Sequence, residues 1–352
     1  MSASASALRL CALACLLHAA LALSCLDDSG SPVAWFALLK YPKGGAALIA
    51  SSKNETLDVS PHDCASPSEG AMALTLLQLY ETSRSSASSK YGVMFYNDQP
   101  PTAAASALPK NQSSGASYGH SKGVVGWEAG SGFWLVHSFP EFPSAIADGY
   151  KGVDESQQIY GQSVLCVSTD ATGLDIVGEQ LQYNYAQIYE AIVPAHATPK
   201  DLAAAADGEH FTTATASARE LIAIDGTKFT SFSKTGQWGK ELYADLVAPG
   251  LAADLLVETW IRGSKIPSSC PTSGYSVKNV QMLQFPNLPA FKETQDHSKW
   301  AISTDESVNV TCIGGINQMT SQNTRGGGTV CLQNNALWNS FSSLVYQVEE
   351  CE

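Results

Sequence analysis

The chain has 352 residues, 44% of them hydrophobic, and carries 20 basic against 33 acidic side chains, a formal net charge of −13 at pH 7. That length and apolar content can bury one large core or two. The acid excess excludes a broad basic surface of the kind that holds nucleic acid non-specifically at neutral pH, although with a pI near 4.9 the net charge becomes small in mildly acidic surroundings and a cleft can still be locally positive.

Residues 1–24 form a secretory signal: Arg9 precedes the apolar run Leu10 to Leu23, and Ala22-Leu23-Ser24 is a small-x-small cleavage site. The run is short for a bilayer span and no second long one follows, so the mature product, with a charge of −14 once Arg9 is gone, is expected in the secretory or endolysosomal lumen without a membrane anchor. Of nine cysteines, Cys11 and Cys15 lie in the signal and seven remain. None forms a C-x-x-C, which argues against a zinc cluster and for disulfides, whose connectivity spacing leaves open. Sequons at Asn54, Asn111 and Asn309 suit a glycosylated luminal protein.

Gly30 to Lys40 reads as a strand with Trp35 and Phe36 inward, residues 50–70 as a polar loop containing His62, Ala71 to Tyr80 as a helix, and Tyr91 to Tyr96 as a strand ending at Asn97-Asp98-Gln99-Pro100-Pro101. Gly115-Ala116-Ser117-Tyr118-Gly119 satisfies G-x-S-x-G, but it lacks the buried strand before and helix after that a nucleophile elbow needs. Next comes Gly119-His120-Ser121-Lys122-Gly123, then Val124 to Trp127, a turn signal through Gly130 and the apolar run Phe133 to His137. This is a β-hairpin. Whether His137 shares a face with Lys122 depends on the register of the turn.

Pro140 to Tyr160 is loop-like, Gly161 to Val167 a strand, and Asp175 to Tyr189 an amphipathic element of either type. The Ala-rich stretch 195–207, with His196 inside and His210 just after, marks the junction of two halves. Phe229 to Gly236 reads as strand or turn, Gly239 to Leu251 as helix and Leu255 to Arg262 as strand. Lys228, Lys234 and Lys240, interleaved with Phe229, Phe232 and Trp238, could contact a phosphate backbone or serve surface and core roles. The H-S-K triplet then recurs in Asp296-His297-Ser298-Lys299-Trp300, followed by a polar turn and Val310 to Asn317, a second hairpin. Arg325-Gly326-Gly327-Gly328 is either a backbone nest for phosphate or a plain turn before the strand at 329–332.

An imidazole and an ammonium two residues apart on a strand point the same way. Such a pair suits a phosphodiester, the imidazole as nucleophile or proton shuttle and the lysine as fixed charge for the phosphate oxygens. One copy means little, and two copies with the same hairpin sequel make an internal repeat.

Twin H-x-K hairpins resemble the phospholipase D superfamily, and Gly314-Gly315-Ile316-Asn317 is similar to its G-S-x-N segment with Gly for Ser. Within it the chain resembles the deoxyribonuclease II family over most of its mature length. The resemblance is carried by Asp28 to Phe36, Tyr96 to Pro101, both H-S-K motifs, Gly132 to Ser138, Tyr160 to Ser163 and Arg325 to Thr329. It implies an α/β fold of two pseudo-symmetric halves, each a mixed sheet flanked by helices, with 25–195 and 196–352 holding one motif each. It also implies a metal- and cofactor-independent acid endodeoxyribonuclease of the lysosomal lumen or secreted, acting on double-stranded DNA and leaving 3′-phosphate and 5′-hydroxyl ends. His120, Lys122, His297 and Lys299 would be catalytic, His137 and Asn317 substrate-binding, and Cys25–Cys166, Cys270–Cys351 and Cys312–Cys331 bonded, with Cys64 left odd. The acidic residue that phospholipases D carry after H-x-K is missing, since Trp127 and Thr304 fall there, so another group must orient each imidazole. The alternatives are a phospholipase D-like enzyme for lipid or RNA and a non-catalytic luminal binding protein.

Overall fold

The computed structural model describes residues 23–84, 91–107 and 117–351. Most of the signal segment, with Cys11 and Cys15, and the Asn111 sequon lie outside the described residues. β-branched and aromatic runs punctuated by turns give two sheets, and the period-two alternation of those runs decides what each face touches. After a two-stranded ribbon of β1 (Cys25–Leu26) and β2 (Pro32–Val33), the first sheet is built from β3 (Trp35–Lys40), β4 (Ala47–Ser51), β5 (Asn54–Val59), β6 (Tyr91–Asn97), β7 (Lys122–Glu128), β8 (Ser131–His137), β9 (Gln162–Asp170) and β10 (Ile188–Ile192). Its order is β10-β6-β7-β8-β9-β3-β4-β5, antiparallel throughout.

The second sheet contains β11 (Ala216–Ile222), β12 (Lys228–Lys234), β13 (Leu255–Thr259), β14 (Val277–Leu283), β15 (Phe291–Lys292), β16 (Lys299–Ser303), β17 (Val310–Gly314), β18 (Gly327–Gln333) and β19 (Val345–Val348). The order is β11-β12-β18-β17-β16-β13-β14-β15, with β19 also on β14 and β13–β14 the parallel pair. The chain is thus mixed α/β, dominated by antiparallel sheet.

In β3 the side chains of Trp35, Ala37 and Leu39 enter one core and those of Phe36 and Leu38 another; in β18 Val330 and Leu332 go one way and Cys331 the other. The first of these cores is common to both sheets and also takes Leu174, Val177 and Leu181 from the helix Ala171–Asn184 and Leu337, Phe341 and Leu344 from the helix Asn335–Leu344. The opposite face of the first sheet lies under the helix Ala71–Arg84, through Leu76 and Leu79. That of the second sheet meets Tyr243, Val247 and Ala248 around the short helix Ala248–Leu251. Disulfides join Cys25 to Cys166, Cys270 to Cys351 and Cys312 to Cys331, while Cys64 is buried and free.

Two sequence expectations change. The polar stretch 50–70 contains the edge strand β5, in which only Leu57 turns inward and whose exposed residues carry no periodic signal. The ambiguous 175–189 element is the end of a helix capped by Asp170, followed by β10. Among the described residues no helix is long and apolar enough to cross a membrane.

Candidate active site

The first hairpin turns on Ala129 and Gly130, whose φ of 51° and 96° match the mirror-image turn that two-residue hairpins prefer. That turn settles the register. Gly123 pairs with Val136 and the pattern continues to place Lys122 opposite His137, on the face of Val124 and Leu135. His137 lies beneath Lys122 against Phe142 and Phe139, with neither ring nitrogen hydrogen-bonded. Burial, reinforced by the Lys122 charge, pushes its pKa down to about 3, so its ring is neutral. In the second hairpin the register runs on to set Lys299 opposite Gly314, and Asn317 follows three residues later, buried, with Oδ1 unpartnered. Gly315 leaves no room for a side chain, since a Cβ there would come within 2.5 Å of the His120 carbonyl oxygen.

The two motifs meet through their backbones. The His120 N–H donates to the Gly326 carbonyl at 2.8 Å and the His297 N–H to the Gly161 carbonyl at 2.8 Å, so each histidine is tied to the other sheet's chain segment. Those two segments are themselves clamped. Lys40, buried at the end of β3, donates to the carbonyls of Tyr41, Gln158 and Tyr160 at 2.7–2.9 Å; Lys234, buried at the end of β12, donates to those of Gln322, Asn323 and Arg325 at 2.6–3.0 Å. Burial lowers the pKa of each to about 8, leaving both charged at acid pH.

The groups orienting the imidazoles differ between the motifs. Asp98, one residue past β6, accepts from Lys122 and from Arg325 Nη2 (3.0 Å) and lies 3.9 Å from His120 Nε2. Burial opposes its ionisation, but Lys122, His120 and Arg325 outweigh that and hold its carboxyl well below the usual range. His297 has no such carboxylate among the described residues: its Nδ1 meets the Ser138 carbonyl at 3.1 Å, so that nitrogen carries the proton, and the Trp260 ring packs on it with centroids 4.3 Å and planes 68° apart. Lys299 donates to the His297 carbonyl.

Burial depresses both imidazoles well below their ordinary pKa, with Lys299 and Lys122 pushing His297 further and Asp98 partly restoring His120. Burial, with the Lys122 charge, also lowers Lys299 to about 7 against the pull of the Asp296, Asp98 and Glu258 carboxyls. Glu258, fully buried on β13, has both oxygens unpartnered, and burial first, then Asp296 and Glu293, raises its pKa well above normal. Among the described residues no group of three or more His, Cys, Asp or Glu converges as a metal site would.

The structure thus brings His120, Lys122, His137, His297 and Lys299 together, with the segment leading to Asn317 against His120. It adds Asp98, Arg325, Ser138, Trp260 and the two clamping lysines. Asp98 has a sequence signal, an ionisable residue closing an otherwise apolar strand; the clamps have none, since Lys234 reads like a surface lysine beside Lys228 and Lys240. The Arg325-Gly-Gly-Gly run is packed backbone at the start of β18. Ser117 is exposed in a turn, and His62 faces Glu69 at 3.4 Å on the surface. Asn54 is exposed, and Asn309 sits half-buried in the turn before β17.

The family model described as Deoxyribonuclease II matches residues 24–351. The chain is 32% identical to Plancitoxin-1 of Acanthaster planci, over 94% of this chain and 93% of that one. It is 34% identical to Deoxyribonuclease-2 of Caenorhabditis elegans (93% and 93%) and 33% to Deoxyribonuclease-2-alpha of Rattus norvegicus (94% and 95%).

Two predictions follow from the buried charges. Glu258 has a raised folded-state pKa, so its contribution to stability is full below the unfolded carboxyl pKa and is lost as pH rises through the folded value. Glu258→Gln should therefore be more stable than the parent at pH 7.5, by about 1.4 kcal/mol for each pH unit between the unfolded carboxyl pKa and the lower of the working pH and the folded value, with the gain shrinking toward pH 4.5. Urea midpoints at the two pH values measure this, and equal shifts at both would reject it. Lys40→Met should perturb His297 and Lys234→Met should perturb His120, each lowering kcat by roughly tenfold or more, the scale expected when a supporting interaction is lost. Imidazole NMR titrations should show that crossed pattern; both variants shifting both rings alike would refute it.

Proposed function

The chain belongs to the deoxyribonuclease II family, and from that premise we propose that it is an acid, metal-independent endodeoxyribonuclease in which His120 and His297 divide nucleophilic and acid–base roles at one phosphodiester. The observation that carries this is the convergence of two histidines and two lysines from separate sheets on a buried site. We infer the same pairing at the level of halves, 25–195 and 196–352, as in the phospholipase D superfamily. In support, the strand order β6-β7-β8-β9-β3 is matched by β13-β16-β17-β18-β12, and each half ends its clamping strand in a buried lysine.

DNA has no 2′-hydroxyl to recruit, so the protein must supply the nucleophile or activate water, and a histidine nucleophile fits the paired site. One imidazole nitrogen forms a bond to phosphorus as the bond to the 5′ oxygen breaks, and the other imidazolium gives that oxygen its proton. This leaves the 3′-phosphoryl group on histidine. The second imidazole, now neutral, takes a proton from water, whose oxygen displaces the first histidine and yields a 3′-phosphate. Lys122 and Lys299 stabilise charge on the non-bridging oxygens, with Asn317 and His137 as further partners on the floor of the site.

Acid pH follows from burial. Both imidazoles sit below their ordinary pKa, so near neutrality neither is charged and no general acid is present; lowering the pH protonates one of the coupled pair, and the second then resists. The same fall in pH charges Lys299, whose pKa is about 7. A luminal or secreted location, with glycans at Asn54 and Asn309, suits that chemistry and the three disulfides. Hydrolysis of lipid or RNA is the competing activity, separated by assaying plasmid nicking against lipid and RNA cleavage at mildly acid pH.

Three outcomes test the mechanism. Plasmid-nicking activity should persist in EDTA and fall as pH rises toward neutrality, because the general-acid imidazolium is lost first and Lys299, whose pKa is about 7, then gives up the charge that offsets phosphate; loss in chelator, restored by one divalent ion, would overturn it. Fragment ends should be 3′-phosphate and 5′-hydroxyl, labelled directly by a 5′ kinase and extended by polymerase only after phosphatase. The reverse order would refute departure of the 5′ oxygen. His120→Ala and His297→Ala should each remove nearly all turnover, without additivity, since they act as one unit.

A further inference from the structure

Beside His120 the surface opens into a cavity of about 230 Å³ that both halves build. The rings of Tyr118, Tyr185, His210 and Phe211 line it, and Arg325 and Gly119, the residue before His120, form the side nearest the site. His210 stacks on Tyr185 with centroids 3.6 Å apart and planes 19° apart, and Tyr118 lies 4.7 Å from Tyr185 on a tilt of 42°. None of these rings belongs to the three apolar cores, and all stay partly open to solvent. Tyr185 even holds a left-handed backbone, φ 50° and ψ 56°, at the end of the helix Ala171–Asn184, a conformation that costs a non-glycine residue free energy. Core burial therefore does not account for this grouping of aromatic rings.

Arg325 connects the cavity to the chemistry. Its guanidinium donates to the carbonyls of Tyr118 and Gly119 at 3.0–3.2 Å and to Asp98, the carboxylate shared with Lys122 and His120. A ligand here would place a planar ring among aromatic faces with its anionic link toward Arg325. We propose that this cavity is a nucleobase subsite, taking the base of one nucleotide that flanks the scissile phosphate. The assignment rests on the nuclease function above. Every base has a π-face, so such a subsite adds affinity without sequence preference. A paired base cannot enter, so the flanking nucleotide must be unpaired or swung out of the stack.

The test uses the full-length mature protein and a single-stranded oligonucleotide with phosphorothioates at every linkage but one, so that one phosphodiester dominates cleavage. Tetrahydrofuran abasic residues replace the nucleotide on its 5′ or its 3′ side. Wild type should lose roughly five- to a hundredfold in kcat/KM for the abasic residue on one side and much less on the other, the range measured for losing one stacked base. Tyr118→Ala with His210→Ala should lose a similar factor on the intact oligonucleotide and nothing more on the abasic one, whereas Tyr118→Phe should retain the discrimination. Equal loss by the double variant on both substrates would make the rings merely structural and reject the subsite, as would a wild type indifferent to abasic residues on either side. Should the double variant not fold, the wild-type and Tyr118→Phe comparison decides alone. A wild type without any DNA cleavage would sink the nuclease function itself; active cleavage without one-sided abasic discrimination sinks only the subsite.

Discussion

Each motif histidine hangs its backbone N–H on a glycine carbonyl from the other sheet's chain segment, His120 on Gly326 and His297 on Gly161, and the rest of the site depends on that crossed pair. Neither imidazole can be in place unless both sheets are assembled, because the loop that holds each one is anchored to the far strand. Lys40 and Lys234 make the anchors stiff. A buried ammonium costs several kcal/mol unless it is satisfied, and each of these has three carbonyl acceptors, bonds of about 1.5–3 kcal/mol apiece when charge-assisted. A nearly neutral local balance therefore secures a loop geometry that an apolar side chain could not specify.

The acid excess of the chain and a phosphodiester substrate are compatible because the charge that matters is local. Lys122, Lys299 and Arg325 converge where Asp98 is the carboxylate shared by Lys122 and Arg325, and that carboxylate is held ionised by the cations themselves. Asp98 fixes the positions of Lys122 and Arg325 and lifts His120 relative to what burial alone would impose. Much of the −13 lies elsewhere, so it limits loose association with DNA at neutral pH without weakening the field at the site.

Much of this was legible in the sequence. The duplicated H-S-K hairpins, the inward Trp35 and Phe36 of β3 and the boundaries of β6, β7 and β8 follow from period-two alternation and turn chemistry, which are local. The edge strand β5 escaped because an exposed strand has no apolar rhythm to read. The register that sets Lys122 over His137 hinged on Ala129 taking positive φ, which residue type does not announce. Asp98, the Ser138 carbonyl, Trp260 and the lysine clamps are relations between segments far apart in the chain, and nothing in their own neighbourhoods encodes the partner.

The asymmetry between two otherwise matched motifs has a physical consequence. His120 faces a carboxylate that favours its charged form, whereas His297 sits against the Trp260 indole and a neutral carbonyl that fixes its Nδ1 proton. Two identical environments would leave the pair's single proton evenly shared and the roles undefined. Unequal environments separate the two apparent ionisations, so that over an acidic window one ring is an imidazolium and the other keeps a free lone pair. Both rings are buried, so that window lies below neutrality rather than around it. Acid operation is then a consequence of sequestering the site, with no separate pH sensor required.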